Sequence, residues 1–271
     1  MSSEKNCFNE SQTLHCSIMG EGDPVVLIHG IAASNNDWVY LTPELLKHGY
    51  QVLAPDLIGH GESSKPWDPD CYTFSNMYQF FEGWIDNCAV DGNITLIGHS
   101  MGGLIALNYA SHNPGWIRQL ILVDPFFKQE QLNPVLRLVN KNPDLYQNAL
   151  RLAPKWLIHS LVSLDIRGLI HYEERTRRQI AEDYKRASPQ IAFIPGTIPD
   201  ISANIDQITS PTLVIWGTND ATLDPKSFPS IVASIPNGHG EAIKGAGHQP
   251  HLARPEIFNQ IVLDFLELNP N

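Results

Sequence analysis

One stretch of the chain, residues 94–104 with the sequence ITLIGHSMGGL, constrains the fold more than any other. A short apolar run meets a Gly-x-Ser-x-Gly turn centred on Ser100, and apolar residues then recur near helical spacing. Glycines beside so tight a turn let a strand and a helix approach closely, while the serine adopts a strained backbone. The stretch predicts a strand, a sharp turn and a helix that lift the Ser100 hydroxyl above a sheet. Alone, the motif also fits an ordinary glycine-rich turn.

Short apolar runs alternate with helical patterns through most of the sequence. Continuously apolar strands separated by helices are typical of a parallel sheet that is covered on both faces. The chain is therefore predicted to be an α/β protein with a mostly parallel sheet. The predicted strands cover Val25–Ile28, Gln51–Pro55, Ile94–Ile97, Leu120–Val123, Thr212–Trp216 and Gly240–Ile243, and a final amphipathic helix covers Pro255–Leu266.

The segment 126–204 breaks this alternation, because it contains helical patterns, several prolines and little strand character. It is longer than a single crossover between parallel strands requires. We interpret it as a helical cap, or lid, inserted into a core formed by residues 1–125 and 205–271. A run of ordinary crossover helices is the alternative.

Composition and charge argue against several classes of partner. The chain has 18 Lys and Arg against 29 Asp and Glu, a formal charge of −11, whereas nucleic-acid binding needs clustered basic residues. No apolar run is long enough to span a membrane, and the polar N-terminus lacks the apolar core of a signal peptide. We therefore expect no nucleic-acid partner, no stable membrane insertion and a cytoplasmic location.

The sequence also lacks the usual patterns for a metal or an organic cofactor. Asp56 and His60 have no third ligand at a suitable spacing and are interpreted as part of a structural turn. The glycine-rich stretches do not match the nucleotide-binding motifs. The cysteines show no metal-binding spacing and are expected to be free thiols; they are Cys7, Cys16, Cys71 and Cys88.

Two further positions fit the chemistry that Ser100 would need. Serine becomes an effective nucleophile when an adjacent base, usually histidine, takes its proton. Among 11 histidines, His248 stands out, because it lies in a glycine-rich loop between the last predicted strand and the last helix. Histidine in turn needs a carboxylate to fix its tautomer, and Asp220 follows a predicted strand through a short turn. The competing carboxylates are Asp124 and, more weakly, Asp224.

The remaining site predictions concern the oxyanion and the substrate. A tetrahedral intermediate needs backbone donors, and the amides of Met101 and Ile31 are the candidates. Gly30 would let the backbone approach the substrate, and His29 would order this loop. The residues predicted to contact substrate are Gly30, Trp38, Phe126 and Trp156. The cap aromatics either line an apolar acyl pocket or form the core of the cap itself.

Taken together, these motifs resemble the α/β-hydrolase superfamily and its serine esterase and lipase branch. The resemblance extends from about Val25 to Leu266. It rests on His29-Gly30, Asp56-x-x-Gly59-x-Gly61-x-Ser63, Gly98-His99-Ser100-Met101-Gly102-Gly103, Trp216-Gly217-x-x-Asp220 and Gly247-His248. It implies an α/β-hydrolase fold with an eight-stranded sheet, a cap over the site, no metal or organic cofactor, and a triad of Ser100, Asp220 and His248.

Residue types narrow the branch that this resemblance implies. Epoxide hydrolases and haloalkane dehalogenases of this fold use an aspartate nucleophile, whereas this chain has Ser100. Many carbon–carbon bond hydrolases of the meta-cleavage type carry Asn before the serine, whereas this chain has His99. The resemblance thus implies hydrolysis of small carboxylic esters, with an apolar acyl group, through an acyl-enzyme. A meta-cleavage hydrolase and a slow receptor-like member stay open as alternatives, and the oligomeric state is not predicted.

Overall fold

The computed structural model describes residues 12–88, 93–157 and 172–268, which form an α/β structure around one sheet. Seven strands lie in the order β1-β3-β2-β4-β5-β6-β7. They cover β1 Cys16–Met19, β2 Asp23–Ile28, β3 Tyr50–Pro55, β4 Ile94–His99, β5 Ile117–Val123, β6 Thr212–Gly217 and β7 Gly238–Ile243. Only β1 pairs antiparallel, with β3, and the other paired strands are parallel. The predicted fold class is confirmed, whereas the expected eight strands are corrected to seven within these residues.

Burial explains why these segments are strands. All six residues of β4 are buried, because β4 is flanked by β2 and β5 and is covered on both faces. Along β2, Val26 and Ile28 point into one apolar core, and Val25 and Leu27 point into the other. This alternation is the two-residue period of a strand, so one continuous apolar run supplies both cores.

Helices cover the two faces of the sheet. Within the described residues, the α-helices are α1 Leu41–Lys47, α2 Phe74–Asn87, α3 Met101–His112, α4 Pro134–Asn140, α5 Pro143–Leu152, α6 Glu174–Arg186, α7 Phe228–Ser234, α8 Pro250–Ala253 and α9 Pro255–Leu268. Helices α2 and α3 pack on one face, through residues such as Phe81 and Leu104. Helices α1 and α9 pack on the other face, through Leu45 and Phe258. Short 3-10 helices cover Asn35–Trp38, Pro69–Tyr72, Pro114–Trp116, Gln129–Gln131, Pro189–Thr197, Ser202–Gln207 and Pro225–Ser227.

The segment interpreted from sequence as a cap contains helices α4, α5 and α6 and no strand within its described residues. Main-chain contacts join this segment to the rest of the chain. The amide of Ser188 donates to the carbonyl of Gly59 at 2.7 Å, and Leu132 forms an isolated antiparallel β-bridge with Leu223. Residues 158–171 of the predicted cap lie outside the described part of the chain. Among the helices that are described, none is both long and apolar enough to cross a membrane.

The cysteines differ from expectation at one position. Cys71 is disulfide-bonded, which corrects the prediction of a free thiol there. Cys16 and Cys88 are free thiols, as the sequence predicted. Cys7 lies outside the described residues.

Candidate active site

The Gly-x-Ser-x-Gly motif forms a strained turn between β4 and α3. Ser100 has φ 52° and ψ −111°, a conformation that costs a non-glycine residue about 1–3 kcal/mol. A Cβ atom on Gly98 would lie 2.3 Å from the carbonyl oxygen of Gly102, and one on Gly102 would lie 2.2 Å from that of Ile28. Both positions therefore require glycine, because only glycine lets α3 start this close to the sheet. The predicted strand, turn and helix are present, with Ser100 at the apex.

The structure brings together the three side chains that the sequence singled out. The Nε2 atom of His248 lies 3.0 Å from the Oγ of Ser100, and its Nδ1 lies 2.7 Å from the Oδ2 of Asp220. The other oxygen of Asp220 accepts hydrogen bonds from the amides of Thr222, at 2.7 Å, and Leu223, at 3.0 Å. This chain of contacts can move a proton from the serine hydroxyl to the imidazole.

The protonation of Asp220 follows from its surroundings. Burial alone would raise its pKa, but the charge of His248 and the hydrogen bonds from His248 and two amides lower the pKa below its ordinary value. Asp220 is therefore ionised at neutral pH, so it holds Nδ1 of His248 as the donor and leaves Nε2 free to accept the proton of Ser100.

The competing carboxylates occupy other positions. Asp124 is fully buried, and its Oδ1 accepts from the amide of Gly217 at 3.1 Å. Burial, followed by the negative charge of Asp220, raises the pKa of Asp124 well above its ordinary value, so Asp124 is the neutral member of the pair. Asp224 caps a short helix by accepting from the amide of Lys226 at 3.1 Å. Asp220 is thus the carboxylate in contact with His248.

The loop after β2 lies beside the nucleophile turn. A Cβ on Gly30 would lie 2.8 Å from Nδ1 of His99 and 3.4 Å from Cβ of Ser100, so glycine permits a close approach to the turn itself. His29 fixes the loop as a neutral imidazole, because Nδ1 faces the carbonyl of Gly30 at 2.7 Å and Nε2 accepts from the amide of Leu57 at 2.9 Å. Burial lowers the pKa of His29, in agreement with this state.

The two predicted oxyanion donors both reach the cavity beside Ser100. Ile31 and Met101 line this cavity together with Ser100 and His248. Within the described ranges, neither amide N–H has a hydrogen-bond acceptor. Met101 is also the first residue of α3, where backbone N–H groups have no partner inside the helix. These amides are therefore available to bind a negative oxygen.

The cavity beside Ser100 has a volume of about 270 Å³ and a predominantly apolar wall. Its apolar lining includes Phe126, Leu132, Leu136, Ile194, Ile198 and Leu223. A second cavity of about 530 Å³ adjoins it, because Ile31, Ala33, Tyr146, Tyr184 and Gln249 line both. The hydroxyls of Tyr146 and Tyr184 lie 3.1 Å apart at this junction.

The four residues predicted to contact substrate occupy different positions in the structure. Phe126 lines the cavity beside Ser100. Trp38 does not, because it is only 1% exposed and packs in the core with its ring 4.9 Å from that of His251. Trp156 is 68% exposed and lines neither cavity, so it does not lie in the wall of the site. Gly30 lines neither cavity and acts through the close approach described above.

Three polar residues of the site were not predicted from the sequence: Asp37, His99 and His251. The Nδ1 of His99 lies 2.8 Å from Oδ2 of Asp37, and the Nε2 of His99 lies 2.8 Å from the main-chain oxygen of His248. The Nε2 of His251 lies 3.1 Å from Oδ1 of Asp37, although the atoms are not aligned as a hydrogen bond. A signal was present, because His99 directly precedes Ser100 and Asp37 lies in the loop after Gly30.

Ligand atoms of two groups, Asp37 with His99 and His251, and Asp124 with Asp220 and His248, lie within 4.8 Å of one another. The hydrogen bonds of His99 and His248 to the carboxylates account for much of this closeness without an ion. We therefore assign neither group to a metal.

Comparisons with known proteins agree with this architecture. A family model described as the alpha/beta hydrolase fold matches residues 23–255. Lipase 1 of Psychrobacter immobilis is 26% identical over 243 residues, which cover 84% of this chain and 72% of the lipase. The 2-hydroxy-6-oxononadienedioate/2-hydroxy-6-oxononatrienedioate hydrolase of Cupriavidus pinatubonensis is 26% identical over 266 residues, 93% of this chain and 90% of that hydrolase. A solved structure of a thermophilic esterase from Thermogutta terrifontis has a TM-score of 0.80 and 25% identity, and the match covers 95% of this chain and 94% of the esterase. The chain belongs to the alpha/beta hydrolase fold family.

Proposed function

We propose that the protein is a serine hydrolase that cleaves small carboxylic esters through an acyl-enzyme intermediate. The observation that carries this proposal is the hydrogen-bonded chain from the Ser100 hydroxyl through His248 to an ionised Asp220, at the wall of an apolar cavity. The similarity to a lipase and an esterase supports the same activity.

The reaction follows from these contacts. Ser100 Oγ attacks the ester carbonyl carbon while Nε2 of His248 takes the hydroxyl proton, and a tetrahedral oxyanion forms. The oxyanion collapses, the bond to the alkoxy group breaks, and His248 returns the proton to the departing alcohol. A water molecule then gives a proton to His248 and attacks the carbonyl carbon of the acyl-enzyme. The second tetrahedral oxyanion collapses, the bond to Ser100 Oγ breaks, the carboxylic acid is released, and His248 returns the proton to Oγ.

Fixed groups stabilise both charges that develop in the reaction, the negative charge of the oxyanion and the positive charge of the imidazolium. The amides of Ile31 and Met101 would bind the oxyanion, and one such donor is typically worth about 10²–10³-fold in kcat. The Asp220 carboxylate, which is fully buried at its side chain, stabilises the imidazolium that forms on His248. Neither group has to reorganise when the charge develops.

The two cavities suggest how an ester would bind. The smaller cavity carries Ser100 and an apolar wall of Phe126, Leu136 and Leu223, so we assign the acyl group to it. The larger adjoining cavity has polar groups, among them Gln179 and Arg175, and would take the alcohol portion. The helical segment 126–204, which supplies Phe126, Leu136 and the junction tyrosines, would act as the cap over the site.

A second candidate is carbon–carbon bond hydrolysis, favoured by the similarity to the Cupriavidus pinatubonensis hydrolase over 93% of the chain. The same serine and histidine would serve that reaction, but the substrate would be a vinylogous diketone in place of an ester. A slow receptor-like hydrolase is the third candidate. It would form an acyl-enzyme once and then fail to turn over.

The test is hydrolysis of a p-nitrophenyl ester series, from acetyl to long acyl chains, with Ser100→Ala measured alongside. We expect turnover by the wild-type protein, an optimum at short to medium acyl chains, and loss of turnover in a folded Ser100→Ala protein. Undiminished turnover by Ser100→Ala would refute the mechanism. Negligible turnover by the wild type together with cleavage of a dienol diketone would establish the second candidate, and a single acylation without turnover would establish the third.

A further inference from the structure

We propose that Asp37 and His99 form a buried ion pair that positions the catalytic base by holding the main chain of His248. The inference rests on the proposed function, because it gives a role in that reaction to two residues that act through the main chain of His248. It makes Asp37 and His99 positioning residues, distinct from the three residues that carry the reaction.

The hydrogen-bond partners of His99 define its protonation. One ring nitrogen faces a carboxylate oxygen of Asp37 and the other faces the carbonyl oxygen of His248, each at 2.8 Å. An ionised carboxylate and a carbonyl can only accept hydrogen bonds, so both contacts require an N–H on the ring. Only the imidazolium carries two. His99 is therefore a buried cation, 3% exposed at its side chain, beside an equally buried carboxylate.

The alternative assignment, with a proton on Asp37 and a neutral His99, fits the surroundings less well. Oδ2 of Asp37 already accepts from the amide of Gly30 at 3.3 Å, and Nε2 of His251 lies 3.1 Å from Oδ1 without the alignment of a hydrogen bond. A carboxylate oxygen that already accepts from a backbone amide favours the ionised state. Burial opposes the charge on Asp37, but His99 and His251 bring its pKa well below the ordinary value.

The imidazolium of His99 is supported in the same way. Burial alone would lower its pKa, but the charge and hydrogen bond of Asp37, followed by the carbonyl of His248, raise the pKa above its ordinary value. His251 behaves oppositely, since burial lowers its pKa to about 4 and leaves it neutral. The titratable groups that face His99 are Asp37 and His29 from the segment after β2, Asp220 from the loop after β6, His248 from the loop after β7, and His251 from helix α8.

This pair joins the three parts of the site. Asp37 accepts from the amide of Gly30, the residue before the proposed oxyanion donor Ile31. His99 directly precedes the nucleophile, and it donates to the main chain of His248. The ion pair therefore sets the distances between oxyanion donor, nucleophile and base. Because a misplacement of about 1 Å can cost about 10²-fold in rate, loss of the pair should slow the reaction of Ser100.

The first measurement is the ionisation of His99 in the wild-type protein. Histidine ring nitrogens are observed by 15N NMR and assigned through backbone connectivities, at a pH of about 6.5, the ordinary pKa of histidine. We expect His99 to be predominantly the imidazolium, with protons on both nitrogens. Signals of a neutral tautomer at this pH would overturn the inference, and this result does not depend on any ester being a substrate.

The second measurement is the rate at which a fluorophosphonate labels Ser100, which reports base-assisted nucleophilicity without substrate turnover. The variant is His99→Gln, whose amide carries donors at one end only and cannot donate to both Asp37 and His248. We expect labelling to slow by about 10- to 100-fold. The matched control is Thr95→Val in the same strand, which loses a buried hydrogen bond of 3.2 Å to Gln119 away from the site and should label within about twofold of wild type.

The pH dependence separates positioning from a loss of stability. As the pH rises, His99 loses its proton and with it one of its two hydrogen bonds, so wild-type labelling should decline over the pH range in which NMR shows that deprotonation. His99→Gln should lack this decline. Equal labelling by His99→Gln and Thr95→Val, or no labelling of the wild type, would overturn the positioning role. If Ser100 labels with the expected dependence and p-nitrophenyl esters are not hydrolysed, the ester function fails and the ion pair stands.

Discussion

Replacing Asp220 with Asn should prevent His248 from acting as the general base, and the hydrogen bonds of Asp220 indicate why. The oxygen of the new amide will stay where Oδ1 of Asp220 now accepts from the amides of Thr222 and Leu223, at 2.7 and 3.0 Å. The NH2 group must then occupy the position of Oδ2, which lies 2.7 Å from Nδ1 of His248. An NH2 group can only donate, so Nδ1 becomes an acceptor and the proton moves to Nε2, where it faces Ser100.

The magnitude follows from this change of tautomer. A triad with the wrong tautomer loses about 10⁴-fold in kcat, and at about 1.4 kcal/mol for each factor of ten the barrier rises by about 5.5 kcal/mol. The fold should survive, because the amide keeps both backbone hydrogen bonds. Asp124→Asn is the matched control: Asp124 is already neutral, and the amide oxygen can still accept from the amide of Gly217, so we expect kcat within about threefold of wild type.

The assay is kcat and KM for p-nitrophenyl acetate, with thermal unfolding measured on each variant. Asp220→Asn should lose kcat with little change in KM or in unfolding temperature. Retention of more than a tenth of wild-type kcat by Asp220→Asn would refute the assignment of Asp220 as the carboxylate that orients His248. An equal loss in Asp124→Asn would show that Asp124 is the working carboxylate.

Two further predictions concern the cavity and the acid stability. Leu136 lines the cavity beside Ser100, so Leu136→Trp should lower kcat/KM for an octanoyl ester at least about tenfold relative to the acetyl ester, and an unchanged ratio would contradict the acyl assignment. His60 is fully buried, and burial lowers its pKa to about 3. Between about pH 6.5 and this value, His60 is therefore protonated in the unfolded chain and neutral in the folded chain. The free energy of unfolding should therefore fall by up to about 1.4 kcal/mol per pH unit from this group as the pH drops from 6.5 towards 3. Denaturant unfolding of His60→Gln should show a pH slope smaller by about one proton, and an unchanged slope would refute the buried neutral state.

The sheet was predictable wherever its strands were continuously apolar. Five apolar runs in the sequence correspond to β2 through β6 of the structure, and the sixth predicted strand, Gly240–Ile243, corresponds to β7, whose residues are mostly exposed. Strand β1, Cys16–Met19, was missed because it lies at the edge and is half-exposed, so its sequence, CSIM, carries no long apolar run. The expected total of eight came from the family resemblance, and no local pattern supported the additional strand.

The site was predictable where each residue carried its own local signal. Ser100, Asp220 and His248 each follow a predicted strand through glycine, and the structure brings them within hydrogen-bond distance. Trp38 and Trp156 were misassigned because an aromatic side chain fits the core, a cavity wall and the surface equally well. One of them lies in the core and the other at the surface.

The contact between Asp37 and His99 could not be read locally, because it joins residues 62 apart and depends on the strand order. Strand β4 lies between β2 and β5, so the loop after β2 approaches the nucleophile from one side, and the loops after β6 and β7 approach it from the other. All these loops meet at one edge, since parallel strands end together there. The ring of His99, at the end of the central strand, reaches both sides at once. A buried side chain at this point must satisfy two acceptors from two different loops, and an imidazolium does so with a single planar ring. The role of the residue before the nucleophile therefore depends on the loops on either side of it. The sequence of β4 alone does not predict that role.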